Sequence, residues 1–226
     1  MTDTTPKGST RIWDLPVRLF HWLLVALVTF SWWSGDKHEM EWHRTSGYAI
    51  LALLVFRIWW GFTGSRTARF GQFVRGPGSV ISYFRTLGSR SGHSADGHNP
   101  LGGWSVIAMI AALVTMVVAG LFSVDVDGFE SGPLADYVSF DQGRAAAELH
   151  ETVFNVILAL VALHVAAIVF YAIWKRQRLV PAMVTGRRRK EDGETVEDVR
   201  WSPVLAAVGV AIAGAIAWAV STGFRF

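Results

Sequence analysis

Five runs of apolar residues dominate this chain: Leu15 to Trp33, Ser46 to Phe62, Trp104 to Phe122, Leu149 to Trp174 and Pro203 to Val220. Each approaches the ~20 residues that a helix needs to cross a bilayer core. They come as runs rather than as one periodic stripe, and 226 residues that are 51% hydrophobic and only 17% charged leave too little polar surface for a soluble domain. The fold expected is an all-α membrane protein with five transmembrane helices. Lys7, Arg11 and Arg18 before the first run resemble the charged flank of a signal peptide. Trp32 and Trp33 stand where a small-residue cleavage site would be needed, so that helix is expected to be retained.

Charge sorts the connecting segments by side. Arg66, Arg69, Arg75, Arg85 and Arg90 face only Asp96 between the second and third runs, and Lys175, Arg176, Arg178 and Arg187 to Lys190 follow the fourth. The positive-inside rule makes both segments cytoplasmic. The segment before the fourth run carries Asp125, Asp127, Glu130, Asp136, Asp141 and Glu148 against Arg144, and Asp36, Lys37, Glu39, Glu41 and Arg44 lie between the first two runs. One orientation satisfies every loop: N-terminus inside, acidic loops outside and Phe226 outside. The formal net charge of +3 thus comes from basic loops, and no nucleic-acid partner is expected. Gly88 to Gly97 reads as a flexible loop, and the charged stretch Arg187 to Arg200 as a surface crossing with little packing.

The chain has no cysteine, which excludes disulfides, Cys-ligated iron–sulfur clusters, thiolate-ligated haem and covalent c-type haem. Its information lies in histidine. Of seven His, four fall within or at the ends of the apolar runs: His21, His43, His150 and His164. Ionisable residues at membrane depth are costly and mark function. His150 and His164 are fourteen positions apart, which returns them to within ~40° of one helix face and separates them by ~21 Å along the axis. One helix therefore presents two ligands at two depths. Depth pairs His150 with His43 toward the outside and His164 with His21 toward the inside, with Ile157 between them as packing.

Two axial imidazoles with no open position suit low-spin haem b, held between facing helices. The bland alternative for each His alone is a hydrogen-bonded packing residue, and it is the joint placement that favours ligation. His38 competes for the outer site, and His93 reads as a solvated loop residue. Zinc would require three or four ligands clustered at one depth. Gly47 and Gly120 are small residues beside the sites, where a porphyrin or a neighbouring helix would approach the backbone.

The run Trp13-Asp14-Leu15-Pro16-Val17-Arg18-Leu19-Phe20-His21-Trp22, the pattern His43…Gly47-Tyr48…Arg57…Trp60-Gly61, the stretch Gly97 to Gly103 and the paired His150 and His164 together resemble the bacterial cytochrome b561 and nickel–iron hydrogenase cytochrome b family. The resemblance covers about Arg11 to Arg178. It implies a four-helix bundle holding two b-type haems on His21, His43, His150 and His164, exchanging electrons between a periplasmic redox partner and membrane quinone. On this reading residues 1–178 form the di-haem membrane domain, 179–202 a charged linker, and 203–226 an additional helix. Members commonly have four helices, so the fifth is a departure. Its small residues Ala207, Ala211 and Ala215, with Gly209 and Ala213 beside them, recur every fourth position and suit a close helix contact, within the chain or with another subunit.

Three arginines are candidates for the haem propionates: Arg57 and Arg18 inside, Arg44 outside, each with an interfacial charge as its rival role. The quinone region expected is that around Trp13, Asp14 and His98. Expected partners are lipid, quinone and a periplasmic redox protein such as a c-type cytochrome, a hydrogenase or a dehydrogenase. Three rivals share or lack this core: a self-contained quinone oxidoreductase fed by a small reductant such as superoxide, a membrane anchor and electron-transfer subunit of a hydrogenase or multihaem dehydrogenase, and a haem-free transporter or structural membrane protein. The acidic outer loop would repel a small anion and favours a basic protein face.

Overall fold

A computed structural model of the chain describes residues 8–89, 97–127, 130–189 and 197–225. His93, most of the Gly88 to Gly97 loop, residues 190–196 of the charged linker and Phe226 lie outside the described residues. The elements in chain order are β1 (Ser9–Arg11), α1 (Leu15–Asp36), α2 (Met40–Thr63), α3 (Phe70–Phe73), α4 (Pro77–Thr86), α5 (Pro100–Phe122), α6 (Phe140–Ile173), α7 (Leu179–Thr185), β2 (Arg187–Arg189) and α8 (Pro203–Ser221). Five of them, α1, α2, α5, α6 and α8, are long and apolar enough to cross a membrane, as the five runs predict.

Local chemistry sets where these helices start. Asp14 caps α1 by accepting from Val17 N at 2.7 Å, and Asn99 caps α5 by accepting from Gly102 N at 2.8 Å, each followed by Pro in the first turn. Ser139 and Gln142 close a capping box on α6. The helix thus begins at Phe140, nine residues before Leu149, where the apolar run begins, so α6 has polar first turns and His150 sits well inside it rather than at its start. Its 34 residues span ~51 Å against a core of ~30 Å. Likewise α2 starts at Met40, ahead of the apolar stretch, and His43 occupies its first turn.

Packing joins the spans as two pairs. α1 runs along α2, α5 runs along α6, and α2 meets α5 to connect them. The core between the pairs is aliphatic, built from Ile50, Leu54, Leu113, Val117, Val153 and Ile157, and Ile157 lies where the sequence reading puts it, between His150 and His164. α8 lies against α2, so the small-residue contact of the fifth helix is internal. The residues that make it are Gly209 and Ala213, both buried, while Ala207, Ala211 and Ala215 are exposed. A Cβ on Gly209 would stand 2.4 Å from Trp59 Cδ1, which fixes how closely the two helices approach.

The segment after α6 departs from its expected loose crossing. β2 pairs antiparallel with β1, Ser9 opposite Arg189 and Arg11 opposite Arg187. Asp198 Oδ1 accepts from Arg11 N at 2.8 Å and from Thr10 Oγ1 at 3.3 Å, and Val199 is buried. Gly186 turns the chain at φ 79°, and its carbonyl accepts from Ile12 N and Trp13 N. A Cβ there would meet Trp13 O at 2.8 Å, so the position takes glycine both for conformation and for space. Strand pairing between residues so far apart leaves no local signal, which is why charge alone misreads this stretch.

Candidate functional site

His43 and His150 face each other across the bundle, ring centroids 5.9 Å apart and planes at 78°. Each ring is tied by the same nitrogen to a main-chain carbonyl. His43 Nδ1 donates to Ser31 O at 2.8 Å, and His150 Nδ1 donates to Met116 O at 2.8 Å. This leaves Nε2 of each without that bond and able to ligate, since a carbonyl on Nδ1 is how metal-bound imidazoles are oriented and made more basic. The rings are also held sterically. A Cβ on Gly35 would stand 3.1 Å from His43 Nδ1, and one on Gly120 would stand 3.0 Å from His150 Cε1 and Nδ1. Gly120 therefore makes room for an imidazole, whereas Gly47 has open space within 4 Å of a built Cβ.

His21 and His164 form the other pair, half-buried and near enough to interact electrostatically. His21 Nδ1 is buried without a hydrogen-bond partner, an orphaned donor or acceptor of the kind a ligand satisfies. His38, the sequence-level competitor, lies in the turn between α1 and α2 with φ 55°. Among the described residues no three His, Asp or Glu side chains gather around one point, so they form no cation site of the tetrahedral type. The donor set present, facing imidazoles of His43 and His150 with Nδ1 of each held by a carbonyl and a second imidazole pair at His21 and His164, fits bis-imidazole haem.

Polar residues crowd around the His21 end. Arg57 is only 3% exposed, donates to Ala68 O at 3.2 Å, and lies over the Phe70 ring at 5.0 Å and the Phe20 ring at 6.0 Å. Asp14 is fully buried. Beside capping α1 it accepts from Trp60 Nε1 at 3.0 Å, and it is the carboxylate whose field Arg57 feels. Arg18 reaches the other way and donates to Val184 O at the end of α7. Arg44, half-buried beside His43, acts electrostatically on Tyr48.

His98, expected in a cytoplasmic loop, packs between Trp13 and Phe73 with ring centroids 4.7 Å from each. Its Nδ1 is buried and unpartnered. Burial, with the Arg57 and His164 charges adding to it, pushes the imidazole down to about 3, so the ring is neutral at physiological pH. It borders a cavity of about 350 Å³ lined also by Arg66, Gln72, Arg75 and Asn99. Trp13 is 7% exposed and packs against His98 from behind the cavity lining, not in a membrane-facing belt. Sequence reasoning placed Trp13 and His98 together but missed Phe73 and the carbonyls of Ser31 and Met116. Main-chain groups carry no residue signature, so only Gly35 and Gly120 could have pointed to them.

A family model, prokaryotic cytochrome b561, matches residues 12–186. The match takes in all four histidines and ends before α8. No curated protein and no solved structure matches the chain. With the bundle, the facing imidazoles and a match over most of the sequence in agreement, the chain belongs to the prokaryotic cytochrome b561 family, membrane b-type cytochromes of electron transfer.

Proposed function

We propose that the protein carries electrons between a redox partner on its acidic, periplasmic side and the membrane quinone pool, with one haem b on His43 and His150 and a second on His21 and His164. The observation that carries this reading is the His43–His150 pair: facing rings at 5.9 Å, each locked through Nδ1 to a carbonyl. When bound, haem supplies one-electron chemistry at a six-coordinate iron.

The residues supply everything else. Ser31 O and Met116 O fix the tautomer of the outer pair, and Ile157 keeps the space between the pairs dry and aliphatic. Arg57 is placed to neutralise an inner propionate and Arg44 an outer one. Arg18 contributes a third positive charge on the inner side while holding α7. Quinone is assigned to the cavity beside His98. There the neutral imidazole offers a nitrogen to a carbonyl oxygen, Arg66 and Arg75 favour negative charge developing on the ring, and Trp13 and Phe73 hold His98 in place. Asp14 supports the site indirectly, by fixing Trp60 and the start of α1.

On the opposite side Asp125, Asp127, Asp136 and Asp141 present an acidic surface suited to a basic protein face, as on a c-type cytochrome, a hydrogenase or a dehydrogenase. The test is to reduce the haems in proteoliposomes and add a short-chain quinone analogue. Prompt reoxidation is expected, slowed about tenfold by His98→Ala. Absence of reoxidation with every quinone analogue, in the presence and absence of a periplasmic partner, overturns the quinone assignment.

A further inference from the structure

α4 is built as a three-sided helix, and each side meets a different environment. At 100° per residue Val80, Tyr83 and Leu87 share one side and are the half-buried positions, turned to the protein. Pro77, Ile81 and Phe84 share a second, with Ile81 55% and Phe84 66% exposed. Ser79, Ser82 and Thr86 share a third, roughly opposite the second, and all three are exposed. An apolar stripe directly opposed to a polar one is the pattern of a helix lying in a membrane surface.

The neighbouring spans set its depth. Trp104, in the first turns of α5, donates its indole N–H to Arg75 O at 2.9 Å, just before α4. Trp174, at the end of α6, donates to Gly88 O at 3.2 Å, just after it. Tyr83 and Tyr171 hydroxyls meet at 2.6 Å in the middle. Both Trp residues are themselves about two-fifths exposed, at the ends of membrane-spanning helices where aromatic belts lie. α4 is thus pinned at the level of the headgroups.

Charge selects the lipid. From Gly64 to Gly88 the chain carries Arg66, Arg69, Arg75 and Arg85 and no Asp or Glu, and Arg75 and Arg85 are exposed at either end of the apolar stripe. We infer that α4 is an interfacial helix that sinks Ile81 and Phe84 into the leaflet on the basic side and binds anionic phospholipid headgroups through Arg75 and Arg85. The inference does not depend on the electron-transfer reading.

Because the chain has no cysteine, single-Cys variants can be spin-labelled cleanly. The holoprotein is placed in nanodiscs of phosphatidylcholine with phosphatidylglycerol, carrying a label at Ile81→Cys, Phe84→Cys, Ser79→Cys or Ser82→Cys. Labels at 81 and 84 are expected to be relaxed by oxygen and protected from a nickel chelate, with the reverse at 79 and 82. Arg75→Gln with Arg85→Gln is expected to lower the preference for spin-labelled phosphatidylglycerol over phosphatidylcholine, by up to about fivefold per arginine. Nickel access at 81 and 84 equal to that at 82 overturns the inference. So does shielding of 81 and 84 from both reagents, which would mark a protein cover, and so does an unchanged lipid preference in the double variant.

Discussion

The two histidine pairs sit in one helical frame but are held in different ways. At the His43–His150 end both Nδ1 atoms are spoken for by carbonyls and both rings rest on glycines. At the His21–His164 end His21 Nδ1 has no partner, and the surroundings are ionic and aromatic: Arg57, Asp14, Trp60 and His98. The first site is fixed by main chain, the second tuned by side chains. Carbonyl hydrogen bonds make an imidazole a stronger donor and favour the oxidised iron. A buried guanidinium favours the extra electron. On the proposed two-haem reading, the contrast would make the His21–His164 centre the more easily reduced of the two.

Removing a ligand gives the largest effect. His150→Ala is expected to halve the haem per chain and remove the carbonyl-locked centre alone, while His164→Ala halves it by removing the other. Haem quantification with redox titration of each variant checks this, and equal losses from both centres would erase the distinction between them. Next, Arg57→Gln is expected to lower the midpoint potential of the His21–His164 centre by about 60 mV, one decade for a one-electron couple, and to leave its counterpart unmoved. Arg57→Lys restores most of it. Equal shifts of both centres in the titration would show that the charge acts on the whole bundle.

Smaller consequences are expected from the glycines. Gly120→Ala places a methyl group 3.0 Å from His150 and is expected to tilt that ring, at a cost of about 1–3 kcal/mol, and to alter the low-spin resonance signal of its own centre only. The smallest effect is reserved for the contact between α2 and α8. Trp59→Phe deletes the bond from its indole N–H to Leu205 O and is expected to lower the denaturation midpoint by the equivalent of about 0.5–1.5 kcal/mol with both spectra intact.

Much of this arrangement was legible in the order of residues. The five spans announce themselves because lipid demands long apolar helices, and the spacing of His150 and His164 is a property of any helix. Helix starts were less legible: α6 opens with polar turns, and only the Ser139–Gln142 box reveals them. What stayed hidden depends on distant pairing. The carbonyl partners of His43 and His150, the seating of His98 against Phe73 and the choice of Gly209 over Ala211 all follow from how helices settle on one another.

The clasp between Ser9–Arg11 and Arg187–Arg189 has a consequence for biogenesis. β1 must wait for the four spans α1, α2, α5 and α6 to be made before its mate emerges. Until then Ile12 and Trp13 lack the Gly186 carbonyl that anchors their amides. Closure of this clasp is therefore a late step in assembly, after α6 has been made.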